Sequence, residues 1–291
     1  VFERILVAVD FGSSSLEAAG WVARHLKAEL VLAHVVRPLR PPPYLTGSLV
    51  DVDAVADAAV TDAEQALESL REQLDVDALT DVRVGDPAVV LEEMAAEHRC
   101  DLIVLGEHGQ RRFAWPALGR TAFALMARAS LPVLFTRALP NGTPRSLLAA
   151  LGAGPDGVGL IAAARTLQQK WRANASLFHV VDRSFLPDQS HDSPDVDPRS
   201  LEQEIRASAS EWLGEMRRQA RVRGGDVPLE IGLGEPAAEL MAALHRGRHD
   251  LLLVRGSARP GPGALPDRVS RVLMSAAPCS ILRLPGGAAI S

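Results

Sequence analysis

A chain of 291 residues, 47% hydrophobic and 23% charged, is long enough for two ordinary domains that each bury a core. A net charge of −5 excludes a global attraction to nucleic acid. No apolar stretch approaches the roughly 20 residues needed to span a bilayer.

The start, Val1-Phe2-Glu3-Arg4-Ile5, reads straight into a strand, with no signal-peptide layout. The two cysteines, Cys100 and Cys279, predict buried thiols in a reducing cytoplasm and no disulfide framework. Residues 5–9 are a short apolar run ending at Asp10 and Phe11-Gly12-Ser13-Ser14-Ser15, the pattern of a strand buried on both faces of a parallel sheet. Residues 16–27 have helical spacing, with a serine available as N-cap. A second strand, 30–36, ends in His34-Val35-Val36. Pro41-Pro42-Pro43 then marks a loop.

A long alanine-rich helix is expected over 50–74 and a short strand over 81–85. Gly85-Asp86-Pro87 follows, its proline opening a helix over 88–99. Residues 102–105 predict a strand, 121–129 a helix and 132–136 a last strand. Such alternation implies a doubly wound parallel sheet with helices on both faces, because each parallel step needs a crossover.

Leu139-Pro140-Asn141-Gly142-Thr143-Pro144 reads as a linker, after which the pattern restarts. Residues 147–151 echo 5–9, 158–171 echo the first helix, and His179-Val180-Val181 echoes His34-Val35-Val36. Residues 201–222 form the second long helix. Gly234-Glu235-Pro236 echoes Gly85-Asp86-Pro87, 250–254 echo 101–105, and 280–284 close the second sheet. The chain is a tandem duplication with a repeat of about 145 residues, divided into domains 1–138 and 145–285.

The candidate chemistry lies in the first half. Asp101-Leu102-Ile103-Val104-Leu105-Gly106-Glu107-His108-Gly109, followed by Gly119-Arg120-Thr121, reads as a strand, a glycine loop and a helix N-terminus. Together these make an anion cradle. Asp10 offers a carboxylate to a ribose, a base or a metal. Arg111 and Arg112 read as solvated loop charges. His245 and His249, four apart, read as a helix end before a metal pair. No nucleophile elbow and no Walker lysine is present, so neither hydrolase nor P-loop chemistry is indicated.

On these residues the chain resembles the universal stress protein family, whose nucleotide-binding members carry Gly-x2-Gly-x9-Gly-(Ser/Thr). Gly106, Gly109 and Gly119 meet that spacing, Asp10 matches the Asp after strand one, Val35 the adenine-facing residue, and Gly85-Asp86-Pro87 the Gly-x-Pro turn. The resemblance implies two Rossmann-like, adenine nucleotide alpha hydrolase-like sheets of five strands. They would join through the last strands, 133–136 and 281–284, as an intrachain pseudo-dimer, with a homodimer of such chains also open. It further implies an adenine nucleotide (ATP, AMP or ADP) with Mg²⁺, contacted by Ala8, Asp10, Val35, Leu105, Gly106, His108, Gly109, Gly119, Arg120, Thr121 and Ala122. The nucleotide would order residues 106–121 and shift a surface read by a protein partner.

Arg120 departs from the family's Ser/Thr, so it either pairs with phosphate or fills the pocket against Asp10 or Glu107. In the second half Gly152 replaces Asp10, Arg255-Gly256-Ser257-Ala258 or a shifted version of it replaces the glycine turn, and Asp267-Arg268-Val269 replaces Gly119-Arg120-Thr121. That half is expected to bind no ATP. Rival readings are a nucleotide-free signalling module of the same fold, a slow ATPase, and an electron-transfer flavoprotein or related hydrolase.

Overall fold

The computed structural model describes residues 2–38, 52–107, 119–154, 156–183, 198–222, 227–256 and 267–286. The first half runs β1 (Arg4–Ala8), α1 (Ser13–His25), β2 (Glu29–Val36), α2 (Val52–Leu74), β3 (Ala78–Val84), α3 (Pro87–Glu97), β4 (Leu102–Gly106), α4 (Arg120–Arg128) and β5 (Val133–Thr136). The second half runs β6 (Ser146–Leu151), α5 (Gly157–Trp171), β7 (Asn174–Asp182), α6 (Pro198–Gln219), β8 (Leu229–Gly234), α7 (Pro236–Gly247), β9 (Leu251–Arg255), α8 (Arg268–Ala276) and β10 (Ser280–Leu284).

The two five-stranded sheets fuse into one of ten strands, ordered β3-β2-β1-β4-β5-β10-β9-β6-β7-β8. Pairing is parallel within each half and antiparallel at the junction, where Leu134 faces Leu282 between Phe135–Ile281 and Val133–Arg283. The expected meeting of the last strands is therefore observed. It hides the β5 and β10 edges and leaves β3 and β8 at the rims.

Two cores run unbroken across the junction because alternate strand residues face opposite sides. Ile5, Val7, Leu32, Val104, Leu134, Leu147, Leu253 and Leu282 pack under α1, α2, α5 and α6. Leu6, Val31, Ile103, Phe135, Leu148, Leu252 and Ile281 pack under α3, α4, α7 and α8.

The linker is tied down by Trp21, whose indole N–H lies 2.9 Å from Pro140 O and 3.1 Å from Gly142 O. Cys100 and Cys279 are buried and unpaired. Burial pushes their thiols up to about 11 and about 12. Two local expectations change. β3 begins at Ala78 because pairing with Leu30 extends it backwards. The N-cap of α1 is Gly12 and not a serine, because the serines fall inside the first turn.

Candidate functional site

Strand order in the first half reverses between β1 and β4, and open α/β sheets take ligands outside the strand ends at such a point. Ala8 pairs with Ala33 on one side and Leu105 on the other, so Asp10 and Gly106 leave the sheet side by side. Asp10 Oδ1 accepts the Gly12 N–H at 3.0 Å and lies 2.7 Å from the Ser15 hydroxyl. The Asp10 N–H in turn donates to Ser15 Oγ at 3.2 Å. Ser15 thus locks the turn around Asp10.

Between them Phe11 has a φ of 59°, a left-handed backbone that a bulky aromatic adopts only under constraint. Its ring lies 4.9 Å from that of His34. His34 Nδ1 lies 2.6 Å from Val9 O; a carbonyl only accepts, so Nδ1 carries the proton.

Gly106 lies directly on the first turn of α1. A Cβ there would fall 2.6 Å from Ser14 C and Ser15 N, so only bare backbone fits. Gly119 is the opposite case: its φ of −56° is ordinary and, among the described residues, a Cβ would meet nothing within 4 Å. Both α1 and α4 begin on a glycine without a side-chain cap. By contrast, α3, α7 and α8 are capped by Asp86, Glu235 and Asp267. These glycine-started first turns sit at the positive ends of two helix dipoles.

Thr121 Oγ1 lies 3.4 Å from Arg37 Nη2, which brings the first turn of α4 beside the end of β2 and Val35. Ala8 and Val35 are half-buried. Leu105 and Ala122 are buried with their side chains in the core, so they offer a ligand backbone alone. Leu105 O already accepts the Thr136 hydroxyl at 3.0 Å. His108 and Gly109, with Arg111 and Arg112, lie outside the described residues.

Of the two places open to Arg120, on a phosphate or in the pocket, the described residues give it no ion pair that would hold it in the pocket. Arg120 is exposed and, among the described residues, pairs with neither Asp10 nor Glu107. Glu107 turns instead to Arg137, with Nε–Oε1 at 2.7 Å. Ser15 and Arg137 are the residues that sequence reasoning missed. Ser15 sits in a run that already had a capping explanation, and Arg137 lies beyond β5 in no motif.

In the second half the register confirms the alignment, since Leu147 faces Leu251 as Ile5 faces Leu102. Asp10 therefore corresponds to Gly152 and Gly106 to Arg255. The Arg255 guanidinium covers the first turn of α5, where a Cβ on Gly159 would fall 2.6 Å from Nη1. Burial draws the Arg255 pKa down, with Asp156 opposing. His179 repeats His34, its Nδ1 2.8 Å from Leu151 O and its ring 5.6 Å from Trp212. His245 and His249 point to different partners, Met241 O at 2.7 Å and Ser146 Oγ at 2.9 Å.

The architecture is thus a duplicated, doubly wound α/β protein with one glycine-built crevice at a strand-order reversal. Residues 2–137 match the model of the universal stress protein family. Residues 2–137 therefore form a domain of that family, and the second half repeats its fold. A functionally unknown protein from Pseudomonas aeruginosa is similar over 98% of this chain and 93% of its own, at 18% identity and a TM-score of 0.64. A universal stress protein from Archaeoglobus fulgidus is similar over 98% of both chains, at 14% identity and a TM-score of 0.59. At these identities the likeness carries the fold. No curated protein matches the chain. No helix among the described residues is long and apolar enough to cross a membrane.

Proposed function

We propose that the chain is a cytoplasmic regulatory protein of the stress response that binds an adenine nucleotide, foremost ATP, in the domain 1–138 and not in 145–285. The observation that carries this reading is Gly119. Among the described residues nothing crowds a side chain there and φ is ordinary, so we read the bare backbone as serving something that approaches from outside. Gly106, the glycine-started first turn of α1 and the locked Asp10 carboxylate lie at the same carboxyl end of the sheet.

The triphosphate would lie against the N–H groups of Arg120, Thr121 and Ala122, and the exposed Arg120 side chain would reach it as a cation. Asp10 would accept a ribose hydroxyl. Mg²⁺ would be held mainly by the phosphates, with Asp10 as the protein carboxylate at hand.

Calorimetry with ATP and with AMP tests this on wild type, Gly119→Trp and Asp10→Ala. Wild type should show a saturable site, and each variant should lose at least about tenfold in affinity, about 1.4 kcal/mol. Wild type giving no heat with either nucleotide removes the proposal in favour of the nucleotide-free module. ATP turnover abolished by Asp10→Ala would restore the slow-ATPase reading.

A further inference from the structure

The residue that follows the fourth strand of each half touches an arginine that holds the last helix of the other half. After β4, Glu107 binds Arg137 Nε at 2.7 Å. Arg137 then donates from Nη2 to Met274 O at 2.9 Å and from Nη1 to Ala277 O at 2.5 Å, at the C-terminal end of α8. Its backbone is clamped by Ser280, whose hydroxyl donates to Arg137 O at 2.7 Å and lies 2.9 Å from Arg137 N.

After β9, Gly256 lies flat under Arg283, with so little room that a Cβ would fall 2.2 Å from Nη2. Arg283 donates from Nε to Met126 O at 2.7 Å and from Nη1 to Ala129 O at 2.5 Å, at the C-terminal end of α4. The two braces reach the same helix ends from different strand positions: Val133 faces Arg283, so the pseudo-twofold equivalent of Arg283 is Phe135.

The braces differ in what starts them. Gly256 is passive, and Arg283 is a fully buried strut. Glu107 is a charge on the residue that follows Gly106 out of the sheet, its carboxylate turned to Arg137. An anion placed in the crevice repels Glu107 and not its displaced state, which is the differential interaction that a conformational shift requires.

We infer that Glu107 and Arg137 couple the first-half crevice to α8, making α8 the element on which occupancy of that crevice is read. The inference rests on the anion-binding reading above and names the regulation of that site. α8 spans nine residues, about 13 Å at 1.5 Å per residue, so a shift at its last turn carries to its exposed start at Asp267 and Arg268. A phosphate at the crevice loosens Glu107 from Arg137 and so loosens the last turn of α8.

Hydrogen exchange, read peptide by peptide, tests this on wild type and Glu107→Gln, with Arg137→Met as a second variant. Without ligand, the amides at the end of α8, including Ala277 N–H, which donates to Leu273 O, should exchange about fivefold faster in both variants, with α7 unchanged. With ATP, wild type should show the same acceleration in α8, and Glu107→Gln should show no further change. Unaltered α8 exchange in both ligand-free variants overturns the coupling, whether or not ATP binds. ATP that binds by calorimetry yet leaves α8 unmoved in wild type overturns it as well, while the nucleotide reading stands. If ATP gives no heat, the nucleotide reading fails and the ligand-free comparison decides the coupling.

Discussion

At the carboxyl ends of their central strands, the two halves solve the same packing problem in opposite ways. In the first half, Gly106 lets strand β4 rest backbone to backbone on α1, and a carboxylate, Asp10, is locked beside it. In the second half, Arg255 fills the same step with its side chain over Gly159, and Gly152 removes the carboxylate. The local charge changes from negative to positive while the fold, the strand register and the histidine-to-carbonyl hydrogen bond are retained. The duplication teaches that the scaffold tolerates either arrangement, so the open crevice of the first half is not required for folding as such.

That contrast can be broken most directly at Gly106. In Gly106→Val the new side chain meets the Ser14–Ser15 backbone, which cannot move without shifting α1. Overpacking of this kind costs roughly 3 kcal/mol. Arg255→Ala, at the equivalent position, removes a partly solvated side chain and should cost less than about 1 kcal/mol. Urea denaturation of both variants measures the difference. Equal losses would show that the two strand ends are not the opposites described above.

The junction gives a second, smaller contrast. Arg283 is fully buried, and desolvation lowers its pKa to about 10, with Glu92 opposing. It is still held as a cation near neutral pH by the negative end of α4. Arg283→Met keeps the length of the chain and relieves the buried charge, but it leaves Met126 O and Ala129 O without their donor. Buried acceptors left without partners outweigh that relief, and a net loss of about 2 kcal/mol is expected in the urea midpoint. A neutral or stabilised variant would mean that desolvation of the guanidinium dominates.

Much of this architecture is legible in the chain. Apolar runs, paired His-Val-Val strand ends and two Gly-x-Pro turns declare the duplication, and the apolar 133–136 and 281–284 segments announce the junction. The glycine spacing and Asp10 point to the crevice because they are local. What escapes is non-local. Ser15 becomes a lock only when α1 turns back over Asp10. Arg283 sits in a strand where a charge normally argues for exposure, yet it is fully buried. Strand β8, implied by a second sheet of five strands, has no bounds legible in the sequence because Gly232 and Gly234 dilute its alternation, and pairing with β7 supplies what propensity does not.

The smallest expected difference lies at the rims of the sheet. On β3, burial alone would raise the Asp81 carboxyl, but hydrogen bonds from Arg83 Nη2 and His98 Nε2, each at 2.8 Å, outweigh it and hold the pKa below the ordinary range. A carboxylate depressed in the folded state adds stability above its unfolded pKa, about 3.9, and loses it as pH falls through the folded value. The rim of the second half offers an exposed pair, Arg246 with Glu230 at 2.7 Å, of the kind worth little in water. Wild type should therefore be more stable than Asp81→Asn at pH 6, by no more than about 1 kcal/mol, and the gap should close as pH falls from 5 towards 2. Glu230→Gln should show no measurable gap at either end. Urea midpoints across that range decide it: a gap for Asp81→Asn that stays constant with pH would mean that the lost packing, and not the charge, sets the difference.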